Sequence, residues 1–289
     1  MGYLKPLMLL LCIAVVFLLE PKTFYMEKYL ERMNIKATML QSPYPIEVNV
    51  SLEKRITENA LLPLGGHSKP ENCTALQKIA IVIPFRNREP HLHIWLYNMH
   101  PFLQKQQADY AIYVVEQHGE SKFNRAKLMN VGYSEAIQEY DYNCFIFSDV
   151  DIPMDQRNLY RCSENPKHMA HALDKFKFRD SAEFLIVICS QRHFCLEDDE
   201  LYQRVIAANM TIERPHPKIS RSKAILHKRD AGNEQNKKSI PLIKKAGTRM
   251  HIDGLSTLNY TIIGITKHRL YTKVMVDIGQ PEKSFDFWT

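Results

Sequence analysis

The chain has 289 residues, 45% of them hydrophobic and 24% charged. That is enough apolar sequence for one domain with a sizeable core plus an extension. Its 38 Lys and Arg against 32 Asp and Glu leave a net charge of +6, a mild excess that suits an anionic ligand such as a nucleotide diphosphate. No zinc-finger, helix-turn-helix or RNA-binding signature accompanies that excess, so composition gives no ground for a nucleic-acid partner.

In chain order, the first feature is an unbroken apolar run, Leu7–Leu19, behind MGYLK. It is shorter than the ~17–25 residues of a spanning helix, but Pro6 and the Tyr3-Leu4 flank bring it near the lower limit. Its length also fits a signal-peptide core, yet Leu19-Glu20-Pro21 offers no small-residue cleavage site. The favoured reading is an uncleaved signal anchor over residues 6–20, with a cytoplasmic tail over 1–5 that carries Lys5 and the remainder lumenal. A short span also suits the thinner membranes of the early secretory route.

Sequons at Asn49, Asn72, Asn209 and Asn259 agree with a lumenal setting, although such triplets arise by chance. Cys12 lies in the apolar run; Cys73, Cys144, Cys162, Cys189 and Cys195 would face an oxidising compartment. None has CxxC spacing, so disulfides are expected rather than a zinc site, and the odd number leaves at least one without a partner among the others.

Residues 21–75 read as a stem: Pro21, Pro43, Pro45, Pro63, Pro70 and the pair Gly65-Gly66 punctuate short apolar patches, with a possible short helix over Tyr25–Met33. The catalytic domain is placed at 76–289. Ile79–Phe85 is a β-branched apolar run of strand length. His91–Gln107 has helical spacing of Ile94, Leu96, Met99 and Leu103, with Pro101 as a point of kinking. Tyr110–Gln117 is a second strand, Asn124–Tyr140 a second helix, and Cys144–Asp151 a third strand. Strand, helix, strand, helix, strand at these lengths predicts βαβ units and a mostly parallel sheet. Such sheets bind ligands beyond the carboxyl ends of their strands, which places Pro84–Arg88, Gln117–Gly119 and Asp149–Asp151 on one rim.

Four groups of residues are candidates to carry chemistry. Asp149 and Asp151 end an apolar strand and, at period 2, point the same way; paired carboxylates there either hold a hard divalent cation against a diphosphate or belong to a solvated turn. Glu197-Asp198-Asp199-Glu200 opens a helix with Leu201, Val205 and Ile206 on one side. These acids either complement the helix dipole or supply a general base for a sugar hydroxyl. His227, in LHKRD, is a neutral nitrogen that could complete a metal site, or an ordinary surface histidine. Arg86, Arg88, Phe123, Arg125 and Lys127 offer guanidinium forks for phosphate oxygens and an aromatic face for a base.

Together these segments resemble the β-1,4-galactosyltransferase family. The likeness runs through IAIVIPFRNRE, FNRAKLMNVGYSEA, YDYNCFIFSDVDIPM, YRCSENPKHMAHALDKFKF, EDDELYQRV, RPHPKISRSKAILHKRDAGNEQN and DGLSTLNYTIIGITKHRLYTKVMVDIG, nearly all of residues 75–279 in family order. The resemblance implies a GT-A α/β domain, the Rossmann-like nucleotide-sugar fold. It implies that Pro84, Phe85, Arg86, Arg88, Phe123, Arg125, Asp149 and Lys175 bind the donor. Asp151 and His227 would ligate Mn²⁺ or Mg²⁺. Asp198 would be the catalytic base, with Glu197 and Asp199 holding acceptor hydroxyls, and Cys144 and Cys162 would form a disulfide. The reaction implied is inverting transfer of galactose or N-acetylgalactosamine from UDP to the 4-hydroxyl of a terminal N-acetylglucosamine on a glycoprotein or glycolipid. The setting implied is the Golgi membrane, single-pass type II.

Two departures stand out. Between DKFKF and EDDE there are 18 residues, Arg179–Leu196, about half the family's usual length; the segment that elsewhere carries an aromatic acceptor platform is missing. Ala224 stands where the family often has a metal-ligating methionine. An active transferase is the first expectation. A donor-binding but catalytically weak relative, acting as a partner protein, is the alternative, and an incomplete, unstable product the third.

Overall fold

The computed structural model describes residues 46–153, 159–170, 172–174, 177–178, 198–215, 220–227 and 243–280. All of them belong to one unit, Pro43–Thr289. The expected anchor, Lys175, Glu197, Cys189, Cys195 and the apolar run 184–190 lie outside the described residues, as do the side chains of Asp198 and Asp199. Among the described residues no helix is long and apolar enough to cross a membrane.

The elements are α1 (Leu52–Glu58), β1 (Lys78–Phe85), α2 (Glu89–Lys105), β2 (Asp109–Gln117), α3 (Arg125–Glu139), β3 (Cys144–Phe147), β4 (Ala172–Leu173), α4 (Asp198–Ala207), β5 (Arg221–Ser222), α5 (Ala246–Arg249), β6 (Thr261–Lys267) and β7 (Thr272–Asp277). The main sheet has the order β3-β1-β2-β7-β6. Its first four strands run parallel, and β6 closes the edge antiparallel to β7. The expected α/β class with a mostly parallel sheet is what forms.

Strand β1 shows why. Every residue from Ile79 to Phe85 is buried, so the run is apolar on both faces, as a central parallel strand must be. Ile79, Ile81 and Ile83 pack with Trp95, Leu96 and Met99 of α2. Ala80 and Val82 pack on the other face with Leu128 of α3 and with Leu201 and Val205 of α4. Gly132 lets α3 sit close: a Cβ there would lie 2.3 Å from Val82 Cγ1.

Three expectations about these elements change. The third strand stops at Phe147 rather than running to Asp151. Ser148 still donates to the Val82 carbonyl at 3.0 Å. The next rung on that side of β1 belongs to Pro84, which has no N–H to give. The chain then turns, and Ile152 N–H returns to the Asp149 carbonyl at 3.4 Å. Asp149 and Asp151 therefore sit on a turn beyond the strand, and period-2 alternation does not set their directions. In α4, Leu201 and Val205 are one turn apart and buried, whereas Ile206, a further 100° round the helix, is 46% exposed. Pro101 is accommodated inside an unbroken α2.

Part of the segment read as stem packs on the domain. Arg55 of α1 is buried, donates to the Tyr97 carbonyl at 2.9 Å and stacks over the Tyr97 ring. Ser68 bridges Tyr110 of β2, and Gly66, with φ 69°, lies so close to Leu270 that a Cβ would be 2.1 Å from its carbonyl oxygen.

His100 of α2 is fully buried; its Nδ1 lies 2.8 Å from the Tyr110 hydroxyl and its Nε2 2.8 Å from the Leu270 carbonyl. Burial lowers its pKa from 6.5 to about 4. The unfolded chain therefore binds a proton that the folded chain refuses. The contribution is whole above pH 6.5 and is lost as pH falls towards 4, amounting to about 3 kcal/mol at most. Chemical-denaturation midpoints should fall steadily over this interval, and His100→Gln should flatten that part of the profile.

Candidate active site

The sheet's carboxyl end gathers residues from five segments. Strand β1 delivers Pro84 and Phe85, both buried, and then Arg86. Its guanidinium donates to the Ser121 carbonyl at 2.6 Å and lies 5.1 Å from the centre of the Phe123 ring. Asn87 follows with φ 51°, a left-handed conformation that asparagine tolerates better than most residues. This reverses the chain between Arg86 and Arg88, which caps α2 through its carbonyl.

Gln117, at the end of β2, holds the next loop from within. Its Nε2 donates to the Ser121 and Lys122 carbonyls at 3.1 Å each, and its Oε1 accepts from Asn124 N–H at 2.9 Å. Asn124 in turn caps α3 by accepting from Lys127 N–H at 3.0 Å. The first residue of α3 is Arg125, and its Nε donates to Asp149 Oδ1 at 2.7 Å with both side chains largely buried. Arg86, Phe123, Arg125 and Asp149 thus form one linked patch. Lys127 Nζ reaches the Ile278 carbonyl at 2.7 Å.

Beside that patch, Asp151 Oδ2 lies 3.1 Å from His227 Nε2, across 76 positions of sequence. The backbone holds the pair together: Ile225 N–H donates to the Asp151 carbonyl at 2.8 Å. The His227 segment is itself fixed by the pairing of β4 with β5 and by Ala224 N–H, which donates to Asp174 Oδ1 at 2.9 Å. Ala224 is buried and contributes only its backbone. Burial first, and then the charge of Asp149, push the Asp151 carboxyl above the usual range, against the pull of His227.

An oxygen and a nitrogen at this separation suit one divalent cation, because neighbouring ligands on an octahedral ion with bonds near 2.1 Å stand about 3 Å apart. The cation would also relieve the repulsion between Asp149 and Asp151. Among the described residues no group of three His, Cys, Asp or Glu is arranged around a metal.

Helix α4 begins at Asp198. Of its acids, Glu200 turns to the protein: it accepts from Arg204 at 2.9 Å, and Arg204 also meets Asp253 at 2.7 Å. That buried network ties the helix to the 249–254 turn. The Cys144–Cys162 disulfide is present, with Cα atoms 5.6 Å apart; Cys73 is a free thiol among the described residues. Sequence reasoning missed His91, whose ring stands edge-to-face on His227 with centroids 5.4 Å apart. No local signal in the sequence points to that contact, which joins α2 to a segment 136 positions away.

Comparisons with known proteins bear on this arrangement. Residues 34–163 match the N-terminal region of glycosyl transferase group 7, and residues 191–228 match the model described as the N-terminal domain of galactosyltransferase. The chain is 42% identical over 265 residues to β-1,4-galactosyltransferase 1 of Bos taurus, covering 85% of this chain and 66% of that protein. It is 41% identical to the Homo sapiens form, covering 67% of it. Identity to β-1,4-galactosyltransferase 4 of Mus musculus is 39%, over 74% of that protein. The chain thus spans about two thirds of the length of the first two. Among solved structures, the catalytic domain of Drosophila β-1,4-galactosyltransferase 7 in complex with xylobiose superposes with a TM-score of 0.60 at 26% identity, over 73% of this chain and 98% of that one. A mutant of that enzyme, crystallised with manganese, UDP-Gal and xylobiose, shares the fold with a TM-score of 0.59 at 24% identity.

Proposed function

Because this chain belongs to the β-1,4-galactosyltransferase family, we propose that it moves galactose, or N-acetylgalactosamine, from a UDP-sugar to the 4-hydroxyl of a terminal N-acetylglucosamine, using Mn²⁺ or Mg²⁺. The observation that carries this reading is the 3.1 Å contact of Asp151 with His227 next to the Arg125–Asp149 ion pair. A metal-ligand pair and a guanidinium-bearing patch side by side are what a nucleotide diphosphate requires.

In this reading Asp151 and His227 hold the cation. Arg86 and Arg88 meet phosphate oxygens, and Phe123, with Pro84 and Phe85 behind it, faces the uracil. Arg125 fixes Asp149 towards the donor; Lys175 adds a further donor contact. The cation, when bound, supplies positive charge to the departing diphosphate. Asp198 takes the proton from the acceptor hydroxyl as that oxygen attacks the anomeric carbon, with Glu197 and Asp199 holding neighbouring hydroxyls. An α-linked donor then gives a β-linked product by a single displacement. Residues 6–20 would anchor the chain as a single-pass type II protein of the Golgi membrane.

The short 179–196 segment favours one other reading, a donor-binding partner protein without transfer. The full chain, given UDP-galactose, Mn²⁺ and an N-acetylglucosamine acceptor, should yield a β-1,4-linked disaccharide by mass spectrometry and linkage analysis, and chelation should stop it. Binding of UDP with no product would overturn the transferase reading in favour of the partner.

A further inference from the structure

We propose that His91 is a positioning residue for the metal site, a role that rests on the cation reading of Asp151 and His227. His227 lies on a connecting segment after β5, and its imidazole is still partly open to solvent. Its ring needs a wall, since a histidine free to turn about its side-chain bonds spends little time with Nε2 towards a cation. One described contact that supplies a wall is His91. The two rings meet at 89° with centroids 5.4 Å apart, the perpendicular geometry in which the positive edge of one ring faces the π-cloud of the other. Both ring nitrogens of His91 are shielded from solvent, so its ring is set into the protein rather than swinging on the surface.

The support below His91 is rigid. It sits in the first turn of α2, a 17-residue helix. One turn on, Trp95 is fully buried and donates through Nε1 to Ser148 Oγ at 3.2 Å. Ser148 Oγ in turn donates to the Asp149 carbonyl at 3.3 Å. The same helix therefore braces the acid-bearing turn through Trp95 and the imidazole through His91. Arg88, assigned to the diphosphate in the proposed reading, caps the same helix. Ala224 sharpens the need: with no side-chain ligand from that position, orientation of His227 decides more of the affinity.

The test is Mn²⁺ binding by the full chain, followed by electron paramagnetic resonance of the free ion, with and without UDP. His91→Ala should weaken binding about tenfold, the usual range for groups that orient a ligating histidine. His91→Phe keeps a ring of similar shape without nitrogens and should stay within about threefold of the parent. Thermal unfolding of each variant separates loss of fold from loss of site. Equal weakening in both variants overturns the proposal, because His91 would then act through a nitrogen. Parent-like affinity in folded His91→Ala also overturns it. A parent chain that binds no Mn²⁺ even with UDP overturns the cation reading itself, and with it this role; that outcome is distinct because it appears before any substitution.

Discussion

Asp198→Asn should slow sugar transfer by about 10²–10⁴-fold and leave UDP affinity within about twofold, as read by initial rates and by calorimetry. The size follows from what a positioned general base contributes to a transition state. The amide is nearly the same shape, so neither the helix nor the donor patch should change. The expectation comes from position: Asp198 opens α4, and α4 is held by Leu201 and Val205 in the core and by the Arg204 network with Glu200 and Asp253. Glu200 is committed to Arg204, which leaves Glu197, Asp198 and Asp199 as the acids of the proposed reading. Full activity in Asp198→Asn would move the base role to one of its neighbours.

The second large effect concerns the cation. Asp151→Asn and His227→Ala should each weaken Mn²⁺ binding by at least about 100-fold, since in the proposed reading each removes a protein ligand. The Arg125–Asp149 pair is independent of either change, so metal-free binding of uridine should survive. Titration of Mn²⁺ against transfer rate gives the shift. A variant that works at the parent's Mn²⁺ concentration would remove its residue from the metal site.

Much of this was legible because the signals were local. Strands β1 and β2 are read within a residue of their ends, since runs such as IAIVIPF admit few alternatives and Lys78 and Asp109 merely extend them. Helix α3 starts where Asn124 caps it, a choice visible in the side chain itself. The end of β3 was not legible, because the residue that stops it is Pro84 on a different strand, and register is a property of the fold. Nor was the fate of Lys127, which sits among candidate donor residues yet turns to a carbonyl 151 positions away. The pairing of Asp151 with His227 could be expected from likeness alone; the backbone bond from Ile225 and the two short strands that produce it have no signature in sequence. His91 illustrates the same gap, since a histidine in a helix says nothing about which distant ring it will meet.

The bridge between Cys144 and Cys162 has an outcome that reaches past packing. It fastens the start of β3 to a point 18 residues on, and Asp149 and Asp151 both lie inside the loop so closed. Closing a loop of that size removes about 3 kcal/mol worth of freedom from the unfolded chain. A chain made where thiols stay reduced would carry the same two acids on an arc held only by its noncovalent bonds, among them those to Val82, Ile225 and Arg125. Under the proposed cation site and lumenal setting, the turn that carries both acids would reach its full stability only once an oxidising compartment closes this bridge, which makes the covalent clasp a record of where the molecule has been.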